Sequence, residues 1–259
     1  MENTTMENTR TKTTRNSLIL LLTAAIWGMA FVSQSKGMDY MHPFTFNGVR
    51  SLIGAASILV YILISRKIAG DKAAPLDWKL NVKAGLLCGI FLTIASTLQQ
   101  FGIKYTSVGK AGFITTLYII FVPMFGIFLK KKVAPVVWAA AVMAAVGMYL
   151  LCMTESLRLG AGDIMVFLCA IAFAIQIMTV DHYAARIDGA VVSCIQFTVC
   201  GVVCCIGALI WGQPTFGQLQ EGLGALLYAG VLSCGVGYTL QIVGQKGLNP
   251  TCLLYTSPS

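Results

Sequence analysis

The sequence predicts an all-α polytopic membrane protein, built as an inverted repeat of five-helix units with eight transmembrane helices present of an expected ten. Three observations lead there. Apolar residues make up 57% of the 259-residue chain and charged residues 11%, against about 25% charged in an ordinary soluble domain. Mean hydropathy is +0.78, and the apolar residues gather into runs near the ~18–20 residues a helix needs to cross hydrocarbon. Finally, a stretch near the end of the chain repeats one from its first half.

Taken in order, residues 1–16 form a polar cytoplasmic tail without an apolar face, expected to be disordered. Apolar runs then place spans at 17–35, 44–65, 84–101, 111–129, 134–153, 164–180, 190–211 and 222–243. Short connections make consecutive helices antiparallel neighbours. The first run is followed by further spans and has no small-residue cleavage site, so it reads as an anchor rather than a leader. With the N-terminus in the cytoplasm, thirteen lysines and arginines fall in inner segments, among them Arg10, Lys12, Arg66, Lys67, Lys130, Lys131, Lys132 and Arg186. Four fall outside: Lys36, Lys104, Lys110 and Arg158. This bias orients the chain with its N-terminus inside.

Residues 97–109, TLQQFGIKYTSVG, align with residues 239–251, TLQIVGQKGLNPT. Thr97, Leu98, Gln99, Gly102 and Lys104 match Thr239, Leu240, Gln241, Gly244 and Lys246, an offset of 142 residues. Both stretches close a span, the third and the eighth, so the repeat contains five spans. An odd number inserts the second copy upside down. Residues 17–153 form the first repeat, and 160–251 supply three of five helices of the second. In place of a fourth helix the chain has CLLYTSPS. One codon choice for CLLYTS, TGTCTCTTATACACATCT, resembles a sequencing-adapter end, so residues 252–259 read as a non-native tail on a fragment; the alternative is a natural eight-span protein with a short tail.

Composition and motifs exclude several chemistries. The net charge of +8 is spread between apolar runs without the aromatic interleaving of a nucleic-acid surface, so no nucleic-acid partner is expected. Cys88, Cys152, Cys169, Cys194, Cys200, Cys204, Cys205 and Cys234 lie in apolar runs, no CxxC occurs, and His42 and His182 are far apart. Neither a disulfide framework nor a metal site is expected. No Walker loop occurs and no cofactor is expected. The acids sit in loops or at span ends, with Asp163, at the mouth of the sixth span, the nearest to a proton-coupling group.

Candidate substrate-binding residues are the polar and amphipathic side chains inside the spans. Arg50 lies some six residues into the second span, where burial costs about 2.5–3.5 kcal/mol on insertion scales. Two roles stay open: recognition of an anionic or carboxylate-bearing solute from a cavity, or a structural role, snorkelling to the outer interface or bonding helix-end carbonyls. Asn47, Gln99, Gln100, Gln176, Gln196 and Gln241 are amides that need partners or a wet cavity. Interhelical hydrogen bonding is the alternative for each. Trp27, Tyr118 and Tyr238 offer amphipathic aromatic walls, and Pro123 removes a backbone donor in the fourth span, a candidate kink or gate. Gly28, Gly85, Gly89, Gly112, Gly126, Gly147, Gly235 and Gly237 are candidate sites of close helix approach.

Several segments, in this order and spacing, resemble the EamA-like ten-helix drug/metabolite transporters: WGMAFV at 27–32, HPFTFNGVRSLIGAAS at 42–57, the block at 97–132, GDIMVFLCAIAFAIQIMTVDHYAAR at 162–186 and GVGYTLQIVGQKGLNPT at 235–251. The resemblance implies alternating-access export or exchange of a small metabolite, through a cavity lined by both repeats, in a bacterial cytoplasmic membrane. Phe173 stands where the second repeat of such proteins often has tryptophan. The expected partners are a small amino-acid-like or amphipathic solute and the lipid bilayer; homodimerisation stays open. The alternatives are a non-transporting scaffold or sensor subunit and, with no histidine or acid inside the runs to serve it, a membrane-embedded enzyme.

Overall fold

The computed structural model describes residues 2–70, 76–128, 138–139, 142–143, 146, 160–183 and 186–245, with side chains described from Thr14 to Gln241 within them. Helix α1 runs Glu2–Tyr40, α2 Pro43–Ala69, α3 Trp78–Tyr105, α4 Val108–Thr116 and α5 Tyr118–Phe128. After the gap come α6 (Ala161–Tyr183), α7 (Gly189–Gly207) with a π-helical extension Ala208–Gly212, and α8 (Phe216–Glu221). The described chain ends with α9 (Leu223–Leu227), a π-helical stretch Tyr228–Gly237 and α10 (Tyr238–Gln245). Among the described residues, seven stretches are long and apolar enough to span a bilayer, and no strand occurs. They coincide with the expected spans except the fifth; 134–153 lies mostly outside the described residues. The polar residues expected to form a disordered tail are helical from Glu2 onward. No glycine or proline interrupts them, so the first span has no stop signal toward its N-terminus.

Capping residues fix where α2, α3, α4, α7 and α8 start. Pro43 opens α2, where a missing N–H costs nothing. Asp77 accepts from the Leu80 N–H at 3.0 Å, Ser107 from Lys110 at 3.3 Å, and Asp188 from Ala190 at 3.0 Å and Val191 at 3.3 Å. Each satisfies backbone donors that a helix start leaves open. Thr215 and Gln218 form a reciprocal capping box for α8. Gly70, at φ 52°, terminates α2 with its N–H on the Arg66 carbonyl.

Packing follows the repeat. The α2–α7 pair is antiparallel: Ser51 meets Cys200 while Ala55 meets Cys194. These helices are mates at the 142-residue offset, so their opposed directions are those of inverted copies. The other main pairs come as exchanged partners. The α3–α6 contact corresponds to α1 against the last span, and α3–α7 to α2 against that span. Small residues set the closest crossings. A Cβ on Gly102 would lie 2.9 Å from the Gly162 carbonyl oxygen, and one on Gly162 2.8 Å from that of Gly102. Gly85, Gly89, Gly235 and Gly237 also lie under neighbouring side chains, whereas a Cβ on Gly28 meets nothing within 4 Å and one on Gly112 only ordinary contacts. Gly147 lies outside the described residues.

The bundle is apolar outside and polar within. Leu21, Leu63 and Leu209 are exposed on its surface, whereas Asn47, Arg50, Gln100, Gln176 and Gln196 are buried. In lipid this is the favourable sense, because unpaired polar groups in hydrocarbon cost several kcal/mol while apolar side chains there cost nothing.

Candidate substrate cavity

A cavity of about 520 Å³ is lined by residues of α1 to α7, the π-helical stretch Tyr228–Gly237 and α10. Trp27, Arg50, Gln99, Tyr118, Gln176, Gln196, Tyr238 and Gln241, all singled out from the sequence, line it. The other two amides stand behind the wall. Asn47 is buried beside Arg50, and Gln100 donates to the Gln34 carbonyl at 3.2 Å. Pro123 does not line the cavity. It sits inside α5, and the helix is interrupted earlier, at Leu117, whose N–H turns back to the Ile114 carbonyl at 3.1 Å. Proline removes only its own N–H bond and crowds one earlier carbonyl, so it remains inside a helix that has just restarted.

Arg50 is set by its own helix. Its Nε donates to Asn47 Oδ1 at 3.0 Å, one turn earlier. Its guanidinium also sits 5.7 Å from the Phe46 ring centroid, within cation–π range. The Asn47 amide nitrogen in turn donates to Ser96 Oγ at 3.0 Å and to Cys204 Sγ at 3.2 Å, which ties α2 to α3 and α7. Arg50 is 6% exposed and borders the cavity. The snorkelling alternative does not describe this side chain.

Aromatic rings frame one wall. Trp27 Nε1 donates to the Ser233 carbonyl at 3.1 Å, in the π-helical stretch. Trp27 also meets Tyr238 edge-on at 5.3 Å, and Tyr238 meets Phe197 edge-on at 4.7 Å. A Cβ on Gly237 would lie 2.7 Å from Trp27 Nε1, so only glycine lets the indole seat there. Phe173 approaches Tyr118 at 6.5 Å. The amides pair with one another or with hydroxyls: Gln176 donates to Gln196 at 2.9 Å, and Gln99 to Thr115 at 3.3 Å.

Gln34, Ser51, Ser96, Thr115, Ser193 and Cys200 also line the cavity and were not singled out from the sequence. Their signal was helical spacing. Trp27 and Gln34 share a stripe of α1, Ser96 and Gln99 one of α3, and Ser193, Gln196 and Cys200 one of α7.

The two ends of the cavity differ. Val180, Ile187 and Gly189, at the α6–α7 turn, belong to its lining. At that end Asn81 Oδ1 accepts from the Asp188 N–H at 2.8 Å, and Arg66 lies 4.0 Å from Asp188. At the opposite end none of the capping residues lines it. There Phe44 packs on Phe101 at 5.2 Å and on Trp211 at 5.7 Å, with His42 against both phenylalanines. His42 Nδ1 accepts from the Phe44 N–H at 3.4 Å. Its pKa is lowered by burial first and by the charge of Lys104 second. Beside these rings, Asp163 accepts from the Thr106 hydroxyl and from the Gly160 N–H at 2.9 Å, and lies 3.8 Å from Lys110 Nζ.

Similar proteins fit this architecture. Over 171 residues the chain is 31% identical to an uncharacterized transporter of Archaeoglobus fulgidus; the match covers 64% of this chain and 48% of that protein. The chain therefore spans about half the length of this relative. It is 26% identical over 236 residues to the uncharacterized transporter YwfM of Bacillus subtilis, covering 90% of this chain and 77% of that one. A solved protein crystal structure superposes with a TM-score of 0.68 at 18% identity, covering 95% of this chain and 85% of the other; that likeness concerns the fold alone. The EamA-like transporter family model matches residues 15–153 and 160–255. This multi-pass membrane protein, with a largely apolar cavity that carries a few polar side chains, belongs to the EamA-like transporter family.

Proposed function

We propose that the chain is a secondary transporter that exports or exchanges a small amphipathic, amino-acid-like metabolite across the cytoplasmic membrane by alternating access. The observation that carries this reading is the 520 Å³ cavity, whose lining mixes amides, hydroxyls, aromatic rings and one buried arginine. A bilayer-embedded bundle with no internal ligand gains nothing from keeping such groups unpacked, because burial of polar groups without full pairing is costly.

Alternating access supplies a use for the unequal ends. The α6–α7 turn end contributes cavity-lining residues, and the Asp163 and Phe44–Phe101 end does not. With the N-terminus in the cytoplasm, as the basic residues indicate, this is an inward-facing state. The rings and the Asp163–Lys110 pair then form the outer closure.

The test is efflux from vesicles carrying the protein, with amino acids, carboxylates, nucleosides and cationic drugs preloaded, with and without a pH gradient. Saturable efflux of one class, abolished by Gln196→Leu at equal expression, is the expected result. Rates equal to protein-free vesicles for every class would end the transport reading. For orientation, a cysteine placed at Arg186 in a cysteine-free background should react with an impermeant maleimide only from the cytosolic side.

A further inference from the structure

The cavity has an asymmetric charge inventory. Among its described lining residues Arg50 is the one of a charged type; no aspartate, glutamate, lysine or histidine borders it. Arg50 is a buried residue. Only its Nε has a protein hydrogen-bond partner among the described residues, Asn47 Oδ1. The two terminal nitrogens have none, and neither is sealed from the cavity. Asn47 is itself held by Ser96 and Cys204, so the planar fork is fixed at its base and open at its tip.

We infer that the cavity takes an organic anion: a carboxylate, or an oxyanion of like geometry, seated on the open fork of Arg50, with a flat apolar body against Trp27, Phe197 and Tyr238. A bidentate pair satisfies both terminal nitrogens at once and neutralises a charge that burial otherwise penalises. A net cation meets the opposite situation, with Arg50 repelling it and no carboxylate to receive it. A zwitterion gains the fork but finds no counter-charge for its ammonium. This inference rests on the transport reading of the same cavity and narrows its amphipathic, amino-acid-like solutes to those with a net negative charge, setting zwitterions aside.

Binding separates the two readings, since it needs no translocation. Four probes sharing one ring system are compared on the purified full chain in lipid nanodiscs: indole-3-acetate, tryptophan, tryptamine and neutral indole. The first is radiolabelled and the rest compete. Indole-3-acetate is expected to bind at least about tenfold more tightly than tryptamine, the scale of one charge-assisted pair, and more tightly than tryptophan. In Arg50→Gln that preference should collapse to within about threefold while indole competes as before, which reports an intact cavity. Arg50→Lys keeps the charge without the fork and should fall between. Tryptamine or tryptophan binding as tightly as indole-3-acetate, binding of none of the four, or an anion preference that survives Arg50→Gln would overturn the assignment. Should Arg50→Gln not fold, the wild-type comparison decides alone. Anion binding without efflux would leave this site standing and refute transport; efflux of cations alone would do the reverse.

Discussion

Asn47 shows how one side chain organises the interior. It accepts from Arg50 and donates to Ser96 and Cys204, so three helices meet at a single amide. Replacing it by leucine leaves the arginine Nε without its acceptor in a buried site, a loss of about 1.5–3 kcal/mol for a bond to a charged group. Asn47→Leu should therefore lower the melting temperature in detergent clearly more than Ser96→Ala, which removes one neutral partner. His42 gives a second residue-level expectation. Its lowered pKa keeps the ring neutral in the folded chain, so the folded state holds fewer protons than the unfolded one as pH drops below 6.5. The stabilisation is complete above 6.5 and declines as pH falls toward the lower folded value. Thermal melts between pH 7.5 and 5 should show an acid-side loss in the wild type that His42→Asn, which retains an acceptor for the Phe44 N–H, lacks.

At the scale of elements, helix approach is decided by a few glycines and not by glycine in general. Gly102 and Gly162 face each other's carbonyls closer than a methyl group allows. Gly162→Ala should force α3 and α6 apart and cost about 1–3 kcal/mol, as overpacking does. Gly28 has open space around its Cβ direction, so Gly28→Ala should be neutral or stabilise by up to ~1 kcal/mol through helix propensity. Side-by-side melting curves of the two variants check both signs. The π-helical stretch Tyr228–Gly237 belongs to this scale too. It supplies the Ser233 carbonyl that holds Trp27, in keeping with the frequent placement of π-bulges at functional sites.

For the whole molecule, the Asp163 cluster joins the ends of three helices: Thr106 follows α3, Lys110 lies in α4, and Asp163 opens α6. Asp163 is 4% exposed and the Lys110 side chain 14%, so the pair is desolvated. Removing one partner of such a pair costs more than the pair contributes, about 3–5 kcal/mol. Lys110→Met should accordingly destabilise the bundle more than Asp163→Asn, whose side chain still accepts from Thr106. If the cluster is also the outer closure, Asp163→Asn should raise outward labelling of a cysteine placed at Gln99, read by maleimide reactivity in intact cells.

The sequence by itself determined the membrane class and the position of each described span. These depend on local quantities: the bilayer demands length and hydropathy along one dimension, and both can be read residue by residue. It also marked most of the polar wall, because an amide or arginine inside an apolar run is conspicuous wherever it points. Tertiary structure alone decided which of those groups face the cavity. Asn47 and Gln100 carry the same signal as Gln99 and Gln196 but stand behind the wall, and Ser96 and Cys200 line it with no signal beyond spacing. The helix break at Leu117 in place of Pro123, and the π-helical register that reaches Trp27, were equally hidden. Rotation about a helix axis is set by the neighbours each face meets, and those neighbours come from the other repeat, well over a hundred residues away in many pairs.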